Sequence, residues 1–281
     1  MTSHDVVACA RRILREKRIG HTGTLDPLAT GVLVLCVGKA TRIAQYLEAN
    51  EKEYDAVMRL GITTDTLDAE GRVLETRAYT PPEQEQIIAV MQRFTGAIMQ
   101  QPPVYSALKV SGVPSYKLAR EGKAKPLASR PVTIYSITLV SYQDPFVRFT
   151  VRCSKGTYVR TLCADMGEVL GMGAHLTSLV RTASGRFRVE NAKTLDELAG
   201  IASEGHAEQA LISIDEALAE FSAIALSEAE STRVLHGNQI AHPGPPVLTG
   251  QERIRLHDPS HQLLALARFE AGFLKPEVVF C

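Results

Sequence analysis

Apolar residues recur at helical spacing near the start of the chain. Val6, Val7, Ala10, Ile13 and Leu14 form one stripe, which predicts a helix over 3–18. Ser3 stands where a cap is expected, and Arg15, Lys17 and Arg18 suit the negative end of the helix dipole. A Gly- and Thr-rich loop follows from Gly20 to Gly31, then a short apolar run, Val32 to Val37, that reads as a buried strand. Ala40 to Ala49 reads as helix and Glu53 to Leu60 as strand. Gly61 to Gly71 is an acidic, turn-rich stretch, and Arg72 to Arg77 reads as a further strand. Pro81 and Pro82 are expected to open a helix reaching Phe94. Residues 102–131 are rich in proline and poor in long apolar runs, so they read as an insertion or arm. Val132 to Tyr142 and Phe146 to Cys153 form a hairpin about Asp144-Pro145. Thr157 to Leu170 reads as a helix stopped by Gly171, and His175 to Val189 as strand. Beyond Leu218 the texture becomes short β segments broken by Gly237-Asn238 and by the turn His242-Pro243-Gly244-Pro245-Pro246. The whole predicts a mixed α/β (α+β) fold with a large, mostly antiparallel sheet and a small C-terminal β domain over 223–281.

With 281 residues, 45% of them hydrophobic and 22% charged, the chain has material for a sizeable core. No apolar run of about 18 residues occurs, so no membrane span is expected. Met1 to Arg18 lacks the apolar centre of a signal peptide. Cysteine is present five times, an odd number, with no C-x-x-C pair, which supports neither a disulfide framework nor a metal site. Cys36 and Cys153 sit in apolar runs as small hydrophobes, and a reducing, cytoplasmic setting fits best.

Net charge is zero, against the basic balance usual in nucleic-acid binders. Its distribution changes that picture. Lys109, Lys117, Arg120, Lys123, Lys125 and Arg130 face only Glu121 within 102–131, and residues 148–188 carry seven basic against two acidic residues. Two such segments suit either a phosphate-facing groove or solvated faces.

The segment Gly20-His21-Thr22-Gly23-Thr24-Leu25-Asp26-Pro27-Leu28-Ala29-Thr30-Gly31 is the most informative. Its glycines permit unusual backbone geometry, and Pro27 biases Asp26 toward an extended conformation. By residue type alone Asp26 is as well read as a turn former. No Gly-Lys-Ser/Thr follows at phosphate-loop spacing, and His21 belongs to no metal-binding histidine pattern.

The string GHTGTLDPLATGVL closely resembles the signature loop of the tRNA pseudouridine synthase B family. Lys52-Glu53-Tyr54, Tyr105-Ser106-Ala107-Leu108-Lys109, Cys153 through Arg160 (CSKGTYVR) and Leu179 through Phe187 (LVRTASGRF) resemble the same family in the same order. The resemblance spans roughly residues 2–215 and is loose beyond. It implies the pseudouridine-synthase catalytic fold over 1–222, with an RNA-binding insertion at about 102–131, and a PUA-like β domain over 223–281. It further implies isomerisation of the T-loop uridine (position 55) of tRNA, with Asp26 as the catalytic carboxylate. Asp26 attacks the sugar or removes a sugar proton, two routes the sequence leaves open. Arg160 is implied as its ion-pair partner, and Tyr54 as the aromatic that stacks on uracil. Tyr158 and Leu179 are implied to line the pocket, His21 to fill the space of a flipped base, and Lys109 to contact RNA from the arm. No metal or other cofactor is implied, and a monomer acting on the tRNA T stem-loop, with no protein partner and no membrane, is expected.

One departure is visible. Family members begin with an apolar strand ending in Lys-Pro-x-Gly before Thr-Ser, whereas here Met1-Thr2-Ser3 stands at the start. A strand of that kind pairs within the sheet, so a chain lacking it is expected to expose an edge. This keeps open a second reading, a non-catalytic RNA-binding or tRNA-folding protein on the same scaffold. A synthase acting on ribosomal RNA is a third.

Overall fold

The computed structural model describes residues 1–110, 112–123, 125–242 and 253–280. The turn expected at 243–246, and Cys281, lie outside them. The chain divides into two compact units. One comprises Met1–Ser3, Gly23–Val34 and Glu48–Ala192; the other His4–Thr22, Leu35–Leu47 and Lys193–Cys281.

The first unit is built on a seven-stranded sheet. Its order is Phe187–Arg188, Ala174–Ser184, Lys52–Leu60, Phe146–Cys153, Arg130–Gln143 and Gly96–Gln100, with Thr30–Gly31 also pairing Ala174–Ser184. Every pairing is antiparallel except that of Thr30–Gly31. The expectation of a mixed fold on a mostly antiparallel sheet therefore holds. The Phe146–Cys153 strand shows why. Val147, Phe149, Val151 and Cys153 are buried and the residues between them are exposed, the period of two that a half-buried strand requires. Helices Gln84–Arg93 and Val159–Val169 cover the apolar face. Ile87, Val90 and Met91 of the first, and Val159, Leu162, Cys163 and Met166 of the second, enter one core with Ala56, Met58 and Leu176.

Several boundaries differ from the expectation, each for a local reason. The first helix runs Ser3–Leu14 and ends where Arg15 adopts a left-handed φ of 51°, so Lys17 and Arg18 lie past its end. The Ser3 hydroxyl accepts from the Leu25 amide at 2.9 Å and so ties down the glycine-rich loop. The run 32–37 is not one strand: Leu35–Val37 is strand, while Val32, just past the Thr30–Gly31 bridge, bonds through its amide to the Arg181 carbonyl. Pro81 and Pro82 precede the Gln84–Arg93 helix, which starts at a capping box of Glu83 and Gln86. Within 102–131 lie a two-residue hairpin, Lys109–Val110 with Val113–Pro114, and the short helix Ser115–Arg120. Arg130 and Pro131 already belong to the long sheet strand.

The second unit contains a five-stranded sheet in the order Ser222–Ala225, Arg253–His257, Leu263–Glu270, Phe273–Val279 and Ile240–Ala241. Only the first pair is parallel. The helix Glu228–Leu235 carries a Ser227/Glu230 capping box and buries Val234 against Ile254, Leu256 and Leu274. Among the described residues no helix is long and apolar enough to cross a membrane.

Candidate active site

The Val159–Val169 helix presents Arg160 in its first turn, and the residue before the helix is held from outside. The Gln100 side-chain amide accepts from the Tyr158 backbone N–H at 2.8 Å and donates to the Tyr158 carbonyl at 3.1 Å. Gln100 is 2% exposed and completes the backbone of Tyr158 much as a neighbouring strand would.

Arg160 is buried, yet all three guanidinium nitrogens are engaged. Nε and Nη2 each lie 2.9 Å from an oxygen of Asp26, a two-pronged grip on the carboxylate. Nη2 also donates to the Tyr105 carbonyl, and Nη1 to the Thr66 carbonyl, each at 3.0 Å. The Asp68 carboxylate lies 3.4 Å from Nη1. Exposure separates the two acids: the Asp68 side chain is 6% exposed and that of Asp26 32%. Asp68 is the inner counter-ion. Its Oδ1 accepts from the Thr66 hydroxyl at 2.6 Å and from the Glu70 amide at 3.1 Å. Asp26 is the outer carboxylate, oriented from behind and open in front.

The loop that carries Asp26 hangs from the Ala174–Ser184 strand. Arg181 of that strand is 2% exposed. Its Nε donates to the Val32 carbonyl at 2.7 Å, and its Nη groups reach the carbonyls of Gly23 at 3.2 Å and Thr24 at 3.5 Å. The Arg181 carbonyl in turn accepts from the Val32 amide. Gly31 sits at this crossing with φ +98°, where an added Cβ would overlap the Arg181 backbone. Only glycine lets loop and strand approach so closely.

Tyr54 lies on the central strand directly opposite Arg181. It is half-buried and packs, with Leu28 and Ala29 of the loop, against the core that contains Leu179. Burial pushes its phenol up to about 12, against a smaller lowering by the Arg181 guanidinium. Tyr54 is thus a neutral phenol and a flat apolar surface at ordinary pH. Tyr158, half-buried, is also raised, chiefly by burial and against the effect of its contact with the Ser106 hydroxyl.

Asp26, Arg160, Tyr54, Tyr158 and Leu179 all belong to the first unit. Within it Asp26 and Arg160 touch, and Tyr54 and Leu179 share one core. Lys109 is exposed on the small hairpin of 102–131. His21 ends the Ile19–His21 strand of the second unit, opposite Leu35, with its ring edge-on to His4 at 5.9 Å. Among the described residues no group of three or more metal-ligating side chains is found.

Sequence reasoning did not single out Asp68, Arg181 or Gln100. Arg181 lies inside the LVRTASGRF string and Gln100 just before the arm, so proximity to a motif was their signal. Asp68 had none, since an aspartate in an acidic turn is ordinarily a solvated turn former.

Comparison with known proteins identifies the family. Residues 11–159 match the TruB family pseudouridylate synthase N-terminal domain, and residues 160–220 the tRNA pseudouridylate synthase B C-terminal domain. The chain is 45% identical to the tRNA pseudouridine synthase B of Burkholderia mallei (strain NCTC 10247) over 280 residues, 99% of this chain and 92% of that one. It is 46% identical to the protein of the same name from Geotalea uraniireducens over 237 residues, 84% of this chain and 76% of that one. Among solved structures it resembles a chain of a Cbf5-Nop10-Gar1 complex, with a TM-score of 0.79 and 28% identity, covering 100% of this chain and 82% of that one. A chain of an H/ACA ribonucleoprotein bound to a substrate RNA containing 2′-deoxyuridine gives a TM-score of 0.77 at 27% identity, with the same coverage. Matched to the family over more than half its length, and sharing nearly half its residues with full-length relatives, the chain belongs to the TruB family of pseudouridylate synthases.

Proposed function

We propose that the chain isomerises uridine to pseudouridine in the T loop of tRNA, at position 55, with Asp26 as the catalytic carboxylate. One observation carries the assignment of the centre: a buried arginine grips, through two 2.9 Å hydrogen bonds, a carboxylate whose other side stays open. The N1–C1′ bond breaks, the base turns, C5 joins C1′, the C5 proton leaves and N1 gains one. Either Asp26 attacks C1′ as nucleophile or it takes a sugar proton to give a glycal, and both routes need a carboxylate held in one orientation. The reaction has no net redox change and transfers no group to a second molecule, so it calls for no cofactor.

In this reading Arg160 orients Asp26, and Tyr54 offers the ring on which the extruded uracil stacks, a contact worth about 1–3 kcal/mol per base. Tyr158 and Leu179 line the pocket. His21 fills the space vacated by the flipped base, which must leave its stack to be reached. Lys109 and the other basic residues of 102–131 meet RNA backbone, whose recognition rests on shape and charge. Residues 1–222 form the catalytic domain and 223–281 a PUA-like domain, and the enzyme works as a cytoplasmic monomer with tRNA as its partner.

The test is pseudouridine formation in an unmodified tRNA transcript, followed by release of tritium from uridine labelled at C5. The wild-type chain is expected to turn over and Asp26→Asn to bind tRNA without turnover. A wild-type chain that binds tRNA and never releases tritium would overturn the assignment in favour of an RNA-binding protein.

A further inference from the structure

Arg181 is a buried cation that the reaction scheme above leaves without a role. Its hydrogen bonds go to carbonyl oxygens at both ends of the Asp26 loop: Gly23 and Thr24 before the aspartate, Val32 after it. Holding a guanidinium in an apolar sheet is costly, and neutral carbonyls offset that cost less than a carboxylate does. Its position is also specific. Arg181 and Tyr54 are register partners on adjacent antiparallel strands, so their side chains stand side by side on one face of the sheet. Leu179, two residues earlier on the same strand, shares that face. Lys52, two residues before Tyr54, is also buried, with its ammonium donating to the Asn50 carbonyl at 2.7 Å. Arg181 is thus the cation that acts on the phenol, and Asp26 and the Cys153 thiol are the other ionisable groups that do so.

We infer that Arg181 is a positioning residue of the isomerisation: its guanidinium suspends both ends of the Asp26 loop and holds a fixed positive charge against Tyr54, where the detached base rests. This rests on the uridine reaction proposed above. When the N1–C1′ bond breaks, its electron pair leaves with the base, and the uracil is an anion until C5 bonds to C1′. A preorganised cation beside the stacking ring stabilises that anion more than the neutral uridine, which is the condition for lowering the barrier. The same guanidinium sets the height of the loop over Tyr54, and so the distance from Asp26 to the sugar.

The experiment replaces Tyr54 with 3-fluorotyrosine and follows the ¹⁹F titration in the otherwise wild-type chain, in Arg181→Met and in Arg181→Lys. In parallel, the three Arg181 forms with native Tyr54 are assayed for single-turnover tritium release and for tRNA affinity. Arg181→Met is expected to raise the fluorotyrosine pKa and to slow the single-turnover rate about 100-fold or more, the scale of a misplaced catalytic group, with the tRNA Kd changed less than about threefold. Arg181→Lys keeps the charge but cannot span three carbonyls, so its titration stays near wild type while its rate remains reduced. An unshifted titration in Arg181→Met overturns the charge role, and full speed in Arg181→Lys overturns the positioning role. Should Arg181→Met fail to fold, Arg181→Lys still decides the positioning role by its rate at unchanged tRNA affinity. A wild-type chain without turnover refutes the uridine reading alone, because the fluorine titration still reads the contact between Arg181 and Tyr54.

Discussion

Removing Arg160 should damage stability and catalysis through different carboxylates, and the two effects can be separated. Arg160→Met leaves Asp26 and Asp68 without their shared cation. Asp26 is one-third exposed and can be hydrated, whereas Asp68 is sealed from solvent. Stripping one partner from a buried pair costs about 3–5 kcal/mol, most of it the penalty for the stranded charge. Here that penalty falls on Asp68. In Asp68→Asn alone, Oδ1 still accepts from Thr66 and Glu70, but the new amide group faces Arg160 Nη1, donor against donor, at a cost of roughly 1–3 kcal/mol. In the double variant neither a stranded charge nor opposed donors remain. Its loss should therefore be smaller than that of Arg160→Met, with a coupling of about 2 kcal/mol or more in the direction of recovery. Catalysis should not recover, because Asp26 still lacks its two-pronged partner, and the single-turnover rate should stay down by about 100-fold or more. Urea unfolding of the four forms gives the stability cycle, and tritium release gives the rates. Stability losses that add to within about 0.5 kcal/mol would refute the assignment of Asp68 as the inner counter-ion.

Three further outcomes follow from the same geometry. Gly31→Ala should lower stability by at least about 1–3 kcal/mol and reduce turnover, since both its φ and its contact with the Arg181 backbone exclude a Cβ; thermal melting and tritium release check it. Gln100→Leu removes both hydrogen bonds to Tyr158 and leaves a buried N–H and C=O unpaired, at about 1–3 kcal/mol each. Its rate should fall more than its tRNA affinity, as compared in single-turnover and filter-binding measurements. Lys52 is lowered from its ordinary 10.5 to about 8, by burial first and then by repulsion from Arg181. Between those values the unfolded chain binds the proton and the folded one does not, so this group makes stability rise with pH from about 8 to 10.5. Lys52→Met should remove that slope, measured as the difference in unfolding free energy between variant and wild type across the window.

Much of the first unit was legible from local pattern. The Phe146–Cys153 strand, its hairpin partner and the Lys52–Leu60 strand show themselves by period and by their turn, because burying one face of a sheet imposes a repeat of two on the residues. The loop at 20–31 was recognisable as a string but not as chemistry. Taken by type, Asp26 before Pro27 is a turn former, and only resemblance to a family raised it to a catalytic carboxylate. The run 32–37 was misread because only Leu35–Val37 pairs as a strand, with Ile19–His21, while Val32 bonds singly to the Arg181 backbone, and composition does not distinguish the two.

Residue strings were enough to reach the family and, through it, to mark Asp26 and Arg160, and the antiparallel sheet follows from periods that hold wherever a chain buries one face. What stands behind those two residues emerges from the folded chain alone. Asp68 becomes the inner counter-ion because the turn at 64–70 folds back onto Arg160, 92 residues away in sequence. Arg181 becomes the suspension point of the Asp26 loop because a two-residue parallel bridge sets Thr30 and Gly31 beside it. A buried charge acquires its meaning from the groups that replace its water, and those groups are brought together by strand register and loop closure, which no local pattern encodes.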